Sequence, residues 1–293
     1  MRLSLSRLIH YLLVGAAIGS VDLIPGVSGG TLAFVFGLWE RLLESLAILT
    51  AAFRKIIIFR FSDAKEELVR LDWLLVLPVG LGVLTALILG ASLIGTLLDS
   101  HKELVRSFFF GLVLGALPLP FRRIEKWNML HAFLFILGFC TSFLLSSIPP
   151  QEAFQPPWYF VFLGASVSIC ATILPGLSGS FVLLLLGLYE PFIDGIRDRN
   201  LLVLSMFILG SWFGLNLFVG RVRWLLHNHR DSVLSGLLGM MLGGLRVLWP
   251  WQSESGELIQ SAGFNNLLTG LLCIFFGLMA ALVINRFTIS AQH

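Results

Sequence analysis

The chain has 293 residues, 57% of them apolar and 13% charged, with a mean hydropathy of +0.89. So little charge cannot solvate the surface of a soluble globule of this length, and the sequence is that of an integral membrane protein. The net charge of +3 and pI near 9.0 are read as topology signals rather than as a nucleic-acid footprint, and Cys140, Cys170 and Cys273 stand singly in apolar segments without metal or redox spacing.

The chain opens with Met1-Arg2 and an apolar run from Leu8 to Val21 that has the outline of a signal peptide. An internal duplication argues for a structural segment instead. Asp22-Leu-Ile-Pro-Gly-Val-Ser-Gly-Gly-Thr31 returns deep in the chain as Thr172-Ile-Leu-Pro-Gly-Leu-Ser-Gly-Ser180. A shift of 150 superposes Pro25 on Pro175, Gly26 on Gly176, Ser28 on Ser178, Gly29 on Gly179, Gly37 on Gly187, Leu38 on Leu188 and Glu40 on Glu190, with Trp39 facing Tyr189. A duplicated helix-breaking element within hydrophobic sequence is the mark of a transporter binding site.

Each motif divides its apolar stretch into two arms, which predicts re-entrant hairpins at 8–50 (tip 22–31) and 158–196 (tip 172–180). Six further crossings are expected at about 72–98, 104–121, 128–149, 200–220, 231–249 and 264–285. With hairpins, 15 of the 20 Lys and Arg residues share one side, leaving Lys102, Arg106, Arg197, Arg199 and Arg246 opposite. Single crossings at the motifs would divide them 8 to 12, almost without bias. The positive-inside rule therefore favours hairpins, with both termini cytoplasmic.

Repeat 1 (1–150) then makes an odd number of crossings before repeat 2 (151–293), so the repeats are inverted within one integrated membrane domain. The expected fold is all-α, each repeat a re-entrant hairpin plus three transmembrane helices. The loops at 150–157 and 250–257 lack Lys and Arg and carry Pro157-Trp158-Tyr159 and Trp249-Pro250-Trp251, read as interfacial aromatics of an outer face. More weakly, Leu97–Leu117 matches Leu225–Leu245, pairing His101 with His229 and Gly111-x-x-x-Gly115 with Gly239-x-x-x-Gly243, small-residue spacings for close helix packing.

A first arm of 17 residues rises about 25 Å, which places its tip deep in a hydrocarbon core of roughly 30 Å. Gly26, Gly29 and Gly30 permit unusual dihedrals and close ligand approach, and Ser28 and Thr31 are candidate caps of the second arm. Free amides at such a helix start bind anions. Gly176, Ser178, Gly179 and Ser180 would do the same in the second copy, and Arg246 is a candidate anion contact from the apolar segment before Trp249. Asp22 is the acid at a tip, opposite neutral Thr172, and is the candidate proton or sodium coupling site. Glu40-x-x-x-Glu44 and Glu190-x-x-x-Asp194 have a one-turn spacing, but inversion sends them to opposite faces, against a shared catalytic site.

The duplicated decapeptide, with Gly37-Leu38-Trp39-Glu40 and Gly187-Leu188-Tyr189-Glu190, resembles the polyprenyl-phosphate transporter (PopT) family, first catalogued as domain of unknown function 368. The resemblance extends over nearly the whole chain. It implies translocation of undecaprenyl phosphate, the lipid carrier of envelope polymers, from the outer to the inner leaflet of the bacterial cytoplasmic membrane. It also implies an anionic isoprenoid lipid substrate, no catalytic residues, no metal and no cofactor beyond a coupling ion. The residues alone lead to a transporter of an anionic substrate, and a small-anion carrier stands as the alternative. The membrane undecaprenyl-pyrophosphate phosphatases also have inverted hairpins, with a Pro-Gly-x-Ser-Arg-Ser-Gly signature. Here Ser28 and Ser178 are followed by Gly29 and Gly179, so the cation that would stabilise phosphoryl transfer is missing.

Overall fold

The structure is a computed structural model that describes residues 5–24, 26–149, 151, 154–253, 258–259 and 263–290. Over these residues the chain is helical: α1 (Leu5–Asp22), α2 (Gly29–Val35), α3 (Trp39–Ile57), α4 (Phe61–Val69), α5 (Trp73–Ala116), α6 (Pro118–Arg123) and α7 (Met129–Leu145), then α8 (Trp158–Ile173), α9 (Gly179–Leu185), α10 (Tyr189–Arg197), α11 (Leu201–Asn228), α12 (Arg230–Gly244) and α13 (Phe264–Ser290). Ser100–Arg123, Leu201–Asn228 and Asn265–Arg286 are each long and apolar enough to cross a membrane. Two bent pairs, Phe61–Val69 with Trp73–Leu89 at 88° and Gly179–Leu185 with Tyr189–Arg197 at 105°, raise the number of candidate spans to five. Ile88, Ile208 and Phe276 lie exposed on these helices, an apolar surface that suits lipid and not water.

Both hairpins have an extra break. The sequence runs the second arm of hairpin 1 unbroken from Thr31 to about Thr50, whereas the structure ends α2 at Val35 and restarts at Trp39. The cause is Gly37, at φ 68°. Leu38 N donates to Ala33 O and Gly37 N to Phe34 O, both at 2.9 Å, the paired bonds that close a helix on a left-handed residue. Gly187, at φ 66°, does the same with Leu188 N to Leu183 O and Gly187 N to Leu184 O. The repeated Gly-Leu dipeptide is thus a helix stop, and it turns Trp39-Glu40 and Tyr189-Glu190 into the starts of new helices.

The repeats match in packing as well as in sequence. α1 lies along the first half of α5, and α8 lies along α11. Each long helix is then interrupted at a histidine of nearly the same backbone conformation, His101 at φ −141°, ψ 40° within α5 and His229 at φ −138°, ψ 50° between α11 and α12. Beyond these breaks the repeats interleave. The second half of α5 packs on α13, where side chains at Gly111 and Gly115 would strike Ile274 and Leu278, while α12 packs on α7, where Gly239 and Gly243 face Phe135 and Phe139. The Gly-x-x-x-Gly pairs therefore join one repeat to the other, and the bundle cannot be divided at residue 150 without opening both interfaces.

The larger core surrounds hairpin 1 and includes Val27, Phe34, Trp39, Leu43, Leu234 and Met241; a smaller one, with Val161, Ala165, Leu183, Leu188 and Phe207, surrounds hairpin 2. The two aromatic loops differ. Trp158 and Tyr159 are exposed. Trp251 is instead 7% exposed, and the half-buried Trp249 packs edge-on against Phe110 at 5.6 Å, so the second loop turns its indoles toward the protein.

Candidate functional site at the paired helix breaks

Tip 1 is formed where α1 stops at Asp22. Pro25 lies outside the described residues; Gly26 follows at φ 94°, a left-handed backbone that favours glycine. Asp22 Oδ1 accepts a hydrogen bond from Gly29 N at 2.8 Å, so the carboxylate caps α2. A side chain at Gly29 would sit 2.6 Å from the same oxygens, which explains the glycine there. The expected caps behave otherwise: Ser28 Oγ is buried without a partner, and Thr31 Oγ1 points to the other repeat. Asp22 takes the cap because the turn carries its carboxylate back over the start of α2, displacing the shorter side chains from that role.

Tip 2 repeats the backbone with different chemistry. Gly176 adopts φ 90°. Thr172, in the place of Asp22, donates to Ser168 O at 3.0 Å and makes no cap. Ser178 Oγ accepts from Phe181 N at 3.3 Å and bonds Ser180 Oγ at 2.9 Å, while Ser168 Oγ donates to Gly179 O at 2.9 Å. A neutral hydroxyl thus caps one hairpin and a carboxylate the other.

The two tips meet. Gly176 N donates to Thr31 Oγ1 at 2.9 Å, and Gly30 approaches the carbonyls of Thr172 and Ile173 so closely that a side chain there would sit 2.7 and 3.1 Å from their oxygens. Two residues that the sequence left unassigned complete the junction. Trp39 Nε1 donates to Ile173 O at 2.8 Å, and Ser142 Oγ of α7 donates to Gly176 O at 3.1 Å. Trp39 was visible as a member of the duplicated motif; Ser142, a lone serine in an apolar helix, carried no comparable signal.

The end of α12 touches both tips, with Gly244 against the Gly176 carbonyl and Val247 against Gly26. Arg246 lies between them in sequence. Its guanidinium stands 5.0 Å over the Phe143 ring, and its Nε is buried without a hydrogen-bond partner. Ser28 Oγ, and Trp249 Nε1 and Trp251 Nε1 on the side of Phe110 and Gly270, are likewise buried and unpaired among the described residues. Leaving such donors unsatisfied costs on the order of 1–3 kcal/mol each, and of these Ser28 Oγ at tip 1 and Arg246 Nε beside it could serve an anion there. Ser28 Oγ and Arg246 Nε are thus unpaired donors at or beside the junction, and Arg246 makes no ion pair among the described residues.

Two cavities flank the bundle. One, of about 550 Å³, is lined by Glu40, Arg41, Glu44, Arg70, Asp72, Arg223, His227 and Arg230. It gathers arginines that the charge count assigns to one side of the membrane, from four separate segments. Arg123 and Arg230 approach Glu40 Oε1 at 3.3 and 3.0 Å, Arg223 meets Glu44 at 2.5 Å, and Arg41 meets Asp72 at 2.5 Å. The other cavity, about 860 Å³, is apolar, lined by Leu114, Leu117, Phe121, Trp127, Phe135, Ile136, Leu238 and Leu242 with Arg122 at its border. No group of metal-ligating side chains occurs among the described residues.

Residues 18–266 match the family model described as undecaprenyl phosphate translocase-like. The chain belongs to that family. A relative from Vibrio cholerae serotype O1, named polyprenyl-phosphate transporter, is 34% identical over 251 residues, covering 86% of this chain and 80% of the relative. A second relative of the same name, from Staphylococcus aureus, is 23% identical over 256 residues, covering 82% of this chain and 85% of its own length. No solved structure matches. That both relatives are named as transporters is consistent with a chain that is not an enzyme, and the Arg of the phosphatase signature is absent after Ser28 and Ser178.

Proposed function

We propose that the protein returns undecaprenyl phosphate, or a closely related polyprenyl phosphate, from the outer to the inner leaflet of the bacterial cytoplasmic membrane for reuse in cell-envelope polymer synthesis. The observation that carries this reading is the meeting of the two duplicated tips at Thr31 and Gly176, beside the unpaired Ser28 Oγ and the Arg246 segment. Ser28, Gly29, Gly30, Thr31, Ser178, Gly179, Ser180 and Arg246 would receive the phosphate when rocking of the repeats separates the tips, and Gly26 and Gly176 would set the backbone of the two turns. The closed junction is then the occluded form of the site. The isoprenoid chain stays in lipid, and the apolar cavity at Phe135 and Leu242 offers it a lateral wall.

Carrying one negative charge inward against a potential that is negative inside costs about 2.3 kcal/mol per 100 mV, so transport needs a co-moving cation or a metabolic sink. Asp22 is the coupling candidate, since it is the acid at the junction and its second oxygen, Oδ2, makes no hydrogen bond among the described residues. With the basic face in the cytoplasm, both termini are cytoplasmic.

The test is leaflet exposure of undecaprenyl phosphate in proteoliposomes, with hydrolysis of the pyrophosphate followed in parallel. Wild type should translocate without hydrolysis, and a Ser28→Leu/Ser178→Leu double variant should not. Competition by inorganic phosphate but not by short-chain prenyl phosphates would replace the lipid substrate with a small anion.

A further inference from the structure

The cluster around Glu40 differs from an ordinary patch of surface ion pairs in three respects. First, one carboxylate serves two guanidinium groups, Arg123 from α6 and Arg230 from α12, so the group of three carries an excess positive charge. Second, the cluster edges a cavity of about 550 Å³, large enough for a phosphate and its surrounding water. Third, Glu40 is bonded in sequence to Trp39, whose indole holds Ile173 O at tip 2. A shift of the α3 start therefore acts on the tip junction directly.

The duplicated copy lacks the first and the third of these features. Glu190 makes no ion pair among the described residues, Asp194 pairs with Arg197 on its own helix, and Tyr189 has no indole N–H to reach the opposite tip. One motif, duplicated and inverted, has thus become a charged latch on the basic face alone.

We propose that this cavity is a second phosphate site, at which an incoming phosphate monoester displaces Glu40 from Arg230; both residues line the cavity, whereas Arg123, the second partner of Glu40, is not part of the lining. A guanidinium pairs with phosphate as it does with a carboxylate, so Arg230 exchanges its charge-assisted contacts with Glu40 for contacts with the phosphate. Glu40 and its arginines are partly exposed, with side chains 34%, 27% and 50% accessible, and such pairs contribute little to stability. The exchange is therefore cheap. Displacement frees the start of α3, loosens Trp39 from Ile173 O and lets hairpin 1 separate from tip 2. When the phosphate leaves, Glu40 returns and the junction closes. That the ligand is a lipid phosphate rests on the function proposed above; the latch itself requires only a phosphate.

The experiment measures binding of inorganic phosphate and of a short-chain prenyl phosphate to the purified full-length protein. Glu40→Gln removes the competing carboxylate and leaves both arginines, so affinity should rise about tenfold, equivalent to about 1.4 kcal/mol. Arg230→Gln should lower it by a similar factor, and Arg230→Lys, which keeps the charge without the fork, should fall between. Tightening for both probes indicates a general phosphate site, and tightening for the prenyl phosphate alone indicates a lipid headgroup site. Unchanged or weaker binding in Glu40→Gln, with the variant monodisperse and melting like wild type, overturns the latch. The outcomes separate from those of the transport reading: if wild type translocates no lipid while Glu40→Gln still tightens phosphate binding, the transport reading fails and the site stands.

Discussion

Thr31 Oγ1 accepts a hydrogen bond from Gly176 N at 2.9 Å, although 145 positions separate the two residues in the chain. Each belongs to its own copy of the duplicated motif, yet the bond has no mirror image. At the same shift of 150, Phe181 stands where Thr31 stands in the first copy, and a phenyl ring has no acceptor to offer Gly26. The junction is symmetric in backbone and asymmetric in chemistry, which is what a carrier needs if its two faces are to open under different conditions.

Thr31→Val keeps the shape and removes the acceptor. The Gly176 amide is then left unpaired among buried neighbours, at a cost of about 1–3 kcal/mol. The expected outcome is a lower melting temperature in detergent and about a tenfold loss of translocation, with Thr31→Ser close to wild type in both measurements.

Asp22 separates capping from coupling. Asp22→Leu removes the cap of α2 and should destabilise the protein by about 1–2 kcal/mol, whereas Asp22→Asn retains an acceptor for Gly29 N and should melt near wild type. If Asp22 carries the coupling ion, the Asn variant loses the response of transport to proton and sodium gradients. Initial rates measured with each gradient imposed in turn would decide; an unaltered response removes Asp22 from the coupling step.

The backbone of tip 2 gives a sharper contrast. Gly176→Ala places a methyl group against the backbone of Met240 and Met241 at a φ of 90°, so yield of monodisperse protein should collapse. Gly236→Ala, in the same bundle, meets nothing nearer than Leu134 O at 4.0 Å and should purify and transport normally.

Trp39→Phe preserves the buried ring while deleting the bond to Ile173 O. Amide hydrogen exchange around residues 171–174 should accelerate by about tenfold, corresponding to roughly 1.4 kcal/mol of lost protection. Tyr189→Phe removes a hydroxyl that makes no hydrogen bond across to the other tip and should leave exchange there unchanged.

The apolar runs announced a helical membrane protein because no other structure can satisfy its backbone polar groups in lipid. The Pro-Gly-x-Ser-Gly copies announced the tips because duplication is readable at a fixed shift. The stop at Gly37 was less legible: the glycine stood in the repeat, but a single glycine in an apolar run is as compatible with a continuing helix as with a left-handed cap. Ser28 and Thr31 looked like caps because their type and spacing suit that role. Asp22 caps instead, since the turn returns its carboxylate to the helix start, and a turn's path is not encoded in spacing alone.

Composition, hydropathy and the duplicated motif by themselves determined the membrane environment, the all-α class, the paired tips and the family, since each depends on local pattern summed along the chain. Tertiary structure alone decided that the tips touch, that Arg246 sits in the segment joining them, that Trp249 and Trp251 turn inward, and that Glu40 faces Arg123 and Arg230. These are contacts between residues far apart in sequence. They depend on how close-packed helices cross and interleave, and the local pattern of a helix specifies which face is apolar without specifying which neighbour covers it.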